Sequence, residues 1–186
     1  MTFDASLDSA PLLKLLTRGS LTCDLSDLDD NVAVLPMTFC WRSNPNPFLG
    51  PAHTVSAPRG DLDAVYRGIR TATPGCVLVI ETGGSDRAIW GETATGEALR
   101  QGVAGVILDG ACRDVPAVRA SGLPVVARGV SPKRAARTGQ GEVEMRLEFY
   151  GVTLYPGDLI VSDENGTAIV PRASIGALSS KISKTP

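Results

Sequence analysis

Two short apolar runs on either side of an amphipathic segment form the clearest pattern in this sequence. Residues 77–81 are mostly apolar and rich in β-branched side chains, which predicts a buried strand. Residues 93–101 carry apolar side chains at roughly helical spacing, and Gly102 follows where a helix commonly ends. Residues 103–108 predict a second buried strand. Strand, helix and strand in this order indicate a central βαβ unit with parallel strands.

Shorter elements are predicted before and after this central unit. Helices are expected at residues 10–18, 61–70 and 115–121. Strands are expected at residues 50–55, 124–127, 142–150, 151–155, 159–161 and 167–170, with a hairpin turn at 163–166. A parallel core followed by antiparallel hairpins predicts an α/β fold with layered sheet and helices.

Two further segments are interpreted from their composition. Residues 20–30 are polar and acidic, with Asp24 or Ser26 as a possible N-cap for another helical turn. Residues 42–51 are rich in Pro, Asn and Ser and lack periodicity, so we predict an exposed loop there.

The charge of the chain argues against nucleic acid as its ligand. The net charge is −2 and the sequence pI is about 5.4, whereas nucleic-acid binding calls for a basic face. Lys133, Arg134 and Arg137 form one basic cluster. We interpret this cluster as a solvated helix face, and binding of RNA or of an acidic partner is the alternative.

Targeting signals and cysteine spacing give further expectations. No apolar run approaches the length needed to span a membrane. The first residues have neither a basic nor an apolar signal region, so a cytoplasmic protein is expected. The four cysteines are scattered without C-x-x-C spacing, which predicts free thiols rather than a zinc site.

The candidate chemistry lies at the carboxyl end of the predicted parallel strands, where such sheets bind ligands. The loops at residues 83–92 and 109–114 both leave from that end. A glycine-rich helix N-terminus that carries Glu92 should therefore face the pair Arg113 and Asp114. The simpler interpretation of that pair is a salt-bridged turn.

Other polar residues have structural interpretations. His53 is the only histidine, and within a strand it is more often structural than a general base. Cys112 has no obvious activating base nearby, which indicates a spectator thiol. Asp163 and Asn165 lack the spacing of a calcium loop and predict a turn.

An ordered set of segments between about residue 50 and Pro171 resembles the RraA-like family. The matching segments are residues 50–55, 74–75, 77–80, 90–92, 102–110, 113–114, 124–129 and 155–158, with Asp163 and Gly166. That family contains divalent-metal 4-hydroxy-4-methyl-2-oxoglutarate aldolases and the regulator of ribonuclease activity A. The resemblance implies a swivelling β/β/α fold and a homotrimer or hexamer with sites between subunits.

The same resemblance implies one domain over residues 1–186. It would comprise N-terminal helices and a loop at 1–48, a core at 49–171 and a short C-terminal tail at 172–186. Many aldolases of the family have a longer C-terminal helix that lends a carboxylate to the neighbouring subunit's metal site. Here no acid follows Glu164, so that carboxylate is not expected and a different oxo-acid substrate stays open.

Site residues carry over from the family by position. Backbone N–H groups of Gly91, Glu92, Thr93 and Ala94 would bind the pyruvyl part of the substrate, which suits the dipole at a helix N-terminus. The positions implied to be catalytic are Arg113, which also contacts substrate, and Glu92, which holds metal-bound water. Asp114 would ligate the metal, with Mg²⁺ expected and Mn²⁺ as the second choice, because a lone carboxylate completed by waters is typical of Mg²⁺.

The function implied is a metal-dependent aldolase that cleaves a 4-hydroxy-2-oxo acid to pyruvate, with oxaloacetate decarboxylation as a related activity. The alternative is a non-catalytic regulator that binds a ribonuclease or an RNA helicase. The set Glu92, Arg113 and Asp114 favours the enzyme, because a binding protein has no need of it.

Overall fold

The computed structural model describes residues 19–182 of the chain. The helix predicted at residues 10–18 lies outside this range. The helices are α1 (Leu21–Leu28), α2 (Leu62–Thr71), α3 (Glu92–Gln101), α4 (Val115–Ser121) and α5 (Ile175–Ile182). The strands are β1 (Ala33–Val34), β2 (Cys40–Trp41), β3 (Phe48–Ser56), β4 (Val77–Glu81), β5 (Ala88–Trp90), β6 (Gly105–Cys112), β7 (Val125–Val130), β8 (Glu142–Val143), β9 (Leu147–Phe149), β10 (Val152–Leu154), β11 (Leu159–Asp163) and β12 (Gly166–Val170).

A mixed sheet forms the centre of the molecule, in the order β1-β12-β11-β3-β4-β6-β7-β2. The neighbours β3, β4, β6 and β7 are parallel, whereas β11, β12, β1 and β2 add antiparallel pairs at the two sides. Helices α2, α3 and α4 lie between consecutive parallel strands. The predicted βαβ unit and the C-terminal β11–β12 hairpin are both confirmed.

The alternation of side chains along the strands separates the two faces of the sheet. On β4, Leu78 and Ile80 pack with helices α2 to α4, whereas Val77 and Val79 pack on the opposite face. That opposite face is covered by the small β9–β10 hairpin through Leu147, Phe149 and Leu154. Hairpin, sheet and helices therefore form the three layers of a β/β/α arrangement.

The first and last described helices cover the other half of the helical face. Leu21 and Leu25 of α1 and Leu178 of α5 pack against β11 and β12. Among residues 19–182, no helix is both long and apolar enough to cross a membrane. The four cysteines are free thiols, as predicted.

Two boundaries near the central unit differ from the sequence prediction. The predicted loop at residues 83–92 contains β5, whose three residues pair in parallel with the end of β6. Strand β6 begins at Gly105 and runs to Cys112, so residues 109–112 are strand rather than loop. A short strand such as β5 forms because β6 offers it backbone partners, and no local periodicity signals that pairing.

Four other predictions are wrong in detail. Helix α1 starts at Leu21 after Ser20, not after Asp24 or Ser26. Strand β3 starts at Phe48, so the end of the predicted exposed loop at 42–51 is buried strand. The predicted strand at 142–150 is divided into β8 and β9 near Glu144, whose φ of 59° breaks the extended backbone. Lys133, Arg134 and Arg137 lie on an irregular segment, not on a helix.

Candidate active site

A cavity of about 220 Å³ lies where β5 ends, α3 begins and β6 leaves the sheet. The predicted residues Gly91, Thr93, Ala94, Arg113 and Asp114 all line it. Leu62, Tyr66, Ala88, Ile89 and Trp90 form a less polar part of the wall, and Arg134 and Arg137 also line the cavity. The structure therefore brings together two segments of the chain that the sequence placed at the same end of the sheet.

Gly91 allows these two segments to approach each other. Its backbone is extended, with φ of −177°, so conformational freedom is not the reason for glycine. A Cβ atom built there would lie 2.7 Å from Oδ2 of Asp114 and 3.1 Å from Cγ of Arg113. Any side chain at position 91 would therefore displace the carboxylate of Asp114.

The Arg113–Asp114 pair stands at the start of α4. Nε of Arg113 is 3.3 Å from Oδ2 of Asp114, and both side chains are about two-fifths exposed. The backbone N–H of Glu92 donates to the same Oδ2 at 3.4 Å. Asp114 has φ of 52°, a left-handed conformation that aspartate tolerates better than most residues. The backbone N–H of Arg113 donates to the carbonyl of Trp90, which fixes the pair beside β5.

A buried hydrogen-bond chain holds the turn between β5 and α3. The indole N–H of Trp90 donates to Oγ1 of Thr95 at 2.9 Å, and that hydroxyl donates to the carbonyl of Gly91 at 2.9 Å. Trp90 and Thr95 are each 1% exposed. These bonds set the direction of the first turn of α3, whose leading N–H groups lack partners within the helix.

Glu92 differs in position from the other predicted residues. It is exposed and does not line the cavity, although its backbone N–H reaches Asp114. Thr93 is exposed and Ala94 is buried, and both belong to the cavity wall. Glu92 is thus an exposed acid at the rim, between two residues that line the cavity.

The donor set around Asp114 fits a hydrated divalent cation. Oδ2 of Asp114 is occupied by Arg113 and Glu92, whereas Oδ1 has no hydrogen-bond or ion-pair partner in residues 19–182. Over the same range no group of three or more His, Cys, Asp or Glu side chains converges. A single free carboxylate oxygen with room for water suits Mg²⁺ or Mn²⁺ and does not suit zinc, which takes several N or S ligands.

Comparison with a family model shows the protein family to which this chain belongs. The RraA-like model, described as Aldolase/RraA, matches residues 22–169. The chain belongs to the RraA-like family. A 4-hydroxy-4-methyl-2-oxoglutarate aldolase of Thermus thermophilus is 33% identical over 159 residues, which cover 85% of this chain and 96% of the relative.

Two further relatives carry two different kinds of description. A Halalkalibacterium halodurans protein, given the same aldolase name with a provisional qualifier, is 37% identical over 152 residues, 81% of this chain and 72% of the relative. A solved Thermus structure described as the RNA-processing inhibitor RraA has a TM-score of 0.76 and 34% identity, and the match covers 81% of this chain and 92% of that chain. The family and fold class predicted from the sequence are confirmed.

Asp109 of β6 has a structural role in this RraA-like chain that the sequence does not signal. Asp109 is 3% exposed and accepts hydrogen bonds from the backbone N–H and hydroxyl of Thr82 and from the N–H of Gly84. It therefore shapes the loop after β4 and does not pair with Arg113. Burial, and then repulsion from Asp109, raise the pKa of the neighbouring Glu81 above its ordinary value.

The remaining candidates have structural surroundings. Cys112 is fully buried, and burial raises the pKa of its thiol to about 11, which keeps the unreactive thiol form near neutral pH. Nδ1 of His53 lies 2.8 Å from Oε1 of Glu144, and Nε2 lies 3.2 Å from Oγ1 of Thr71. His53 is not part of the lining around Asp114.

The two arginines of the cavity wall were also missed as site residues. Arg134 and Arg137 were interpreted as a solvated helix face, yet both line the same cavity as Arg113. The signal available in the sequence was only a local excess of positive charge. Because the segment has no periodicity, nothing in it indicated which face of the protein it would cross.

Proposed function

We propose that this protein is a divalent-metal-dependent carbon–carbon lyase that cleaves a 4-hydroxy-2-oxo acid and releases pyruvate. The observation that carries the proposal is the shared cavity of the α3 N-terminus, Arg113 and Asp114. A helix N-terminus suits a carboxylate, an arginine suits developing negative charge, and a free carboxylate oxygen suits a cation. The aldolase names of relatives at 33% and 37% identity support a lyase.

Binding of the pyruvyl head follows from the start of α3. The backbone N–H groups of Thr93 and Ala94 bind the C1 carboxylate, while that of Glu92 donates to Asp114. The close contact at Gly91 keeps these donors next to Asp114. Asp114 holds the cation, which when bound supplies Lewis acidity toward the 2-oxo group.

Cleavage requires a group that stabilises the developing negative charge and an acceptor for one proton. When the C3–C4 bond breaks, its electron pair moves toward C3 and the 2-oxo oxygen, and Arg113 stabilises the charge that develops on that oxygen. The 4-hydroxyl group loses its proton and becomes the carbonyl of the second product. Glu92, at the rim, holds the water that takes this proton and returns one to C3 to complete pyruvate.

Oxaloacetate decarboxylation fits the same residues. Loss of CO₂ from oxaloacetate also breaks a C3–C4 bond and leaves the same charge beside Arg113. No proton need be removed from a 4-hydroxyl group, so this reaction depends less on Glu92. We therefore propose it as a second activity.

Pyruvate release tests the proposal directly. Wild-type protein is given a panel of 4-hydroxy-2-oxo acids and oxaloacetate with Mg²⁺, with Mn²⁺ and after chelation. We expect pyruvate only with metal, and we expect Asp114→Asn to lower the rate by about a hundredfold or more. Asparagine also tolerates the left-handed backbone at this position, so the variant should melt at the wild-type temperature. Full activity of Asp114→Asn, or of chelated wild type, would contradict the proposal.

A regulatory function is the second candidate, because one solved relative at 34% identity is described as an RNA-processing inhibitor. In that case the purified protein should bind a ribonuclease or an RNA helicase and release no pyruvate from any oxo-acid in the panel. Binding that survives in Asp114→Asn, together with an inactive wild type, would favour this function over the lyase.

A further inference from the structure

We infer that Trp90 and Thr95 are positioning residues, which hold Asp114 ready for a metal ion through the peptide group between Gly91 and Glu92. Thr95 is not part of the cavity lining, and Trp90 contributes only to the less polar part of the wall. Both side chains therefore act through the backbone beside them. This inference rests on the proposed function, because it takes Asp114 as the residue that holds the metal.

The hydrogen-bond chain from Trp90 through Thr95 to Gly91 has a fixed direction. An indole N–H can only donate, and a threonine hydroxyl has one proton to give. The Thr95 hydroxyl accepts from the indole of Trp90, and its own proton goes to the carbonyl of Gly91, with both bonds 2.9 Å long. Both side chains are 1% exposed, so water does not compete for these bonds.

The carbonyl of Gly91 is held twice, and this fixes the peptide plane that follows it. It accepts the hydroxyl proton of Thr95 and also the backbone N–H of Thr95 at 3.0 Å. The peptide bond is trans, so its carbonyl and its N–H point in opposite directions. Because the carbonyl is directed into α3, the N–H of Glu92 is directed away from the helix, where it meets Oδ2 of Asp114 at 3.4 Å.

The contact between Glu92 and Asp114 depends strongly on that orientation. A hydrogen bond of 3.4 Å is long, and such a bond weakens steeply when its angle departs from linear. A small rotation of the peptide group would remove it. Asp114 would then keep only the contact with Nε of Arg113, whose side chain is itself about two-fifths exposed. The hydrogen-bond chain opposes this rotation.

Trp90 also connects the hydrogen-bond chain to the other half of the site. Its indole is bound to Thr95, and its backbone carbonyl accepts the N–H of Arg113 at 2.9 Å. One buried residue of β5 is thus joined both to the first turn of α3 and to the residue before Asp114. The core of the protein, and not the exposed rim, therefore sets the distance between the two halves.

A simpler role for Thr95 is to satisfy the buried indole. Buried tryptophan N–H groups usually find a partner, and threonine hydroxyls often bond to the carbonyl four residues earlier in a helix. Both roles predict a loss of stability when the hydroxyl is removed. Only the positioning role predicts that the folded variant binds metal more weakly.

A Mn²⁺ titration of the substrate-free protein, followed by the electron paramagnetic resonance signal of free Mn²⁺, tests the inference. We expect Thr95→Val to weaken Mn²⁺ binding by about three- to tenfold at 25 °C, less than when a direct partner of a metal ligand is removed. Thr95→Ser keeps the hydroxyl and should bind within about twofold of wild type. Trp90→Phe breaks the same chain from its other end, so the double variant should be no more than about twofold weaker than Thr95→Val.

Thr54→Val is the matched control. Thr54 is fully buried, its hydroxyl donates to the carbonyl of Met145 at 2.6 Å, and it does not line the cavity. The same substitution there should lower the melting temperature and leave Mn²⁺ affinity at the wild-type value. Unchanged Mn²⁺ affinity in folded Thr95→Val, or equal losses in Thr95→Val and Thr95→Ser, would overturn the inference. If Thr95→Val does not fold, Trp90→Phe is judged by the same criterion.

Activity separates this inference from the lyase proposal. At saturating Mn²⁺, kcat of Thr95→Val should stay within about twofold of wild type, while the Mn²⁺ concentration that gives half the maximal rate rises with the dissociation constant. If the affinities change as expected but wild type releases no pyruvate, the inference stands and the lyase proposal fails. If wild type releases pyruvate and Thr95→Val keeps wild-type Mn²⁺ affinity, only the inference fails. Wild type that binds no Mn²⁺ would contradict both.

Discussion

Gly91 is the residue on which the geometry of the candidate site depends most directly. Its missing side chain leaves only enough space for Oδ2 of Asp114, which would lie 2.7 Å from a Cβ atom. The extended backbone at this position accepts alanine without strain. An added methyl group should therefore act on the carboxylate of Asp114 and not on the fold.

We predict that Gly91→Ala lowers Mn²⁺ affinity and pyruvate release by about 10–100-fold, the scale seen when a group that orients a metal ligand is changed. The melting temperature should stay within a few degrees of wild type. Mn²⁺ binding can be followed by titration and folding by thermal unfolding. Gly96→Ala in the same helix is the control, because open space surrounds its Cβ position. Wild-type Mn²⁺ affinity in Gly91→Ala would mean that Asp114 does not hold the metal.

The sequence predicted which residues belong to the candidate site better than it predicted how those residues contact one another. Gly91, Arg113 and Asp114 were singled out because their types and order suit anion and cation binding. Their contact at Gly91 could not be predicted, since it depends on how β5 and β6 pair. The roles of Thr95 and Asp109 were hidden for the same reason, because both act through hydrogen bonds to residues that only the fold brings near.

At the level of elements, strong local patterns predicted β4, α3 and the hydrophobic part of β6. Gly102 was predicted to end α3, and it does so with φ of 76° and an N–H that donates to Ala98 and Leu99. Strand β5 and the irregular segment at residues 131–140, called the strap below, were missed. Each is too short or too irregular to have a period, and each is held by partners distant in sequence, such as β6 for β5 and Asp61 for the strap.

Asp61, which binds the strap, leads to a prediction about how the stability of the protein depends on pH. Burial alone would raise the pKa of Asp61, but hydrogen bonds from Thr138, Asp63 and Gln140 outweigh burial and hold the pKa below its ordinary value. A carboxylate whose pKa is lower in the folded state stabilises the protein above its unfolded pKa of about 3.9. That stabilisation is lost as the pH falls through the lower, folded pKa.

We predict that Asp61→Asn lowers the free energy of unfolding by about 1–3 kcal/mol at pH 7, because the hydrogen bonds from Thr138 and Gln140 lose their charged acceptor. The difference from wild type should shrink as the pH falls below about 4, where Asp61 of the unfolded chain takes up a proton, and should disappear below the lower pKa of the folded carboxylate. Denaturant unfolding across this pH range measures both effects. Asparagine can still cap α2, so helix loss would not explain the result. A difference that does not change with pH would contradict this account of Asp61.

At the level of the whole molecule, the helical layer has two regions, one that carries the cavity and one that contributes only packing. The helical face over β4, β6 and β7 carries the cavity, while α1 and α5 cover β11 and β12. The sequence predicted the α/β class and the C-terminal hairpin from alternation and turn residues. It could not predict that α1 returns to that hairpin, because the contact joins residues more than a hundred positions apart.

Asp163 makes that long-range contact. It is fully buried, and its carboxylate accepts from the N–H of Thr22 at 3.0 Å and from the Thr22 hydroxyl at 2.7 Å. It also accepts from the N–H of Asn165 at 2.9 Å within the hairpin turn. One side chain therefore closes the turn between β11 and β12 and fastens α1 to it.

We predict that Asp163→Ala lowers Tm by about 2–12 °C. The change leaves the buried donors of Thr22 and the turn N–H of Asn165 without an acceptor, at about 1–3 kcal/mol, and each kcal/mol corresponds to about 2–4 °C in a chain of this size. Glu164→Ala, at an exposed position of the same turn, is the matched control and should melt with wild type. Pyruvate release and Mn²⁺ affinity at 25 °C should be unchanged in both variants, because the residues that line the cavity come from other elements. If Asp163→Ala keeps the wild-type Tm, the α1 contact contributes nothing to stability; if it loses Mn²⁺ affinity while still folded, the two regions of the molecule are coupled rather than independent.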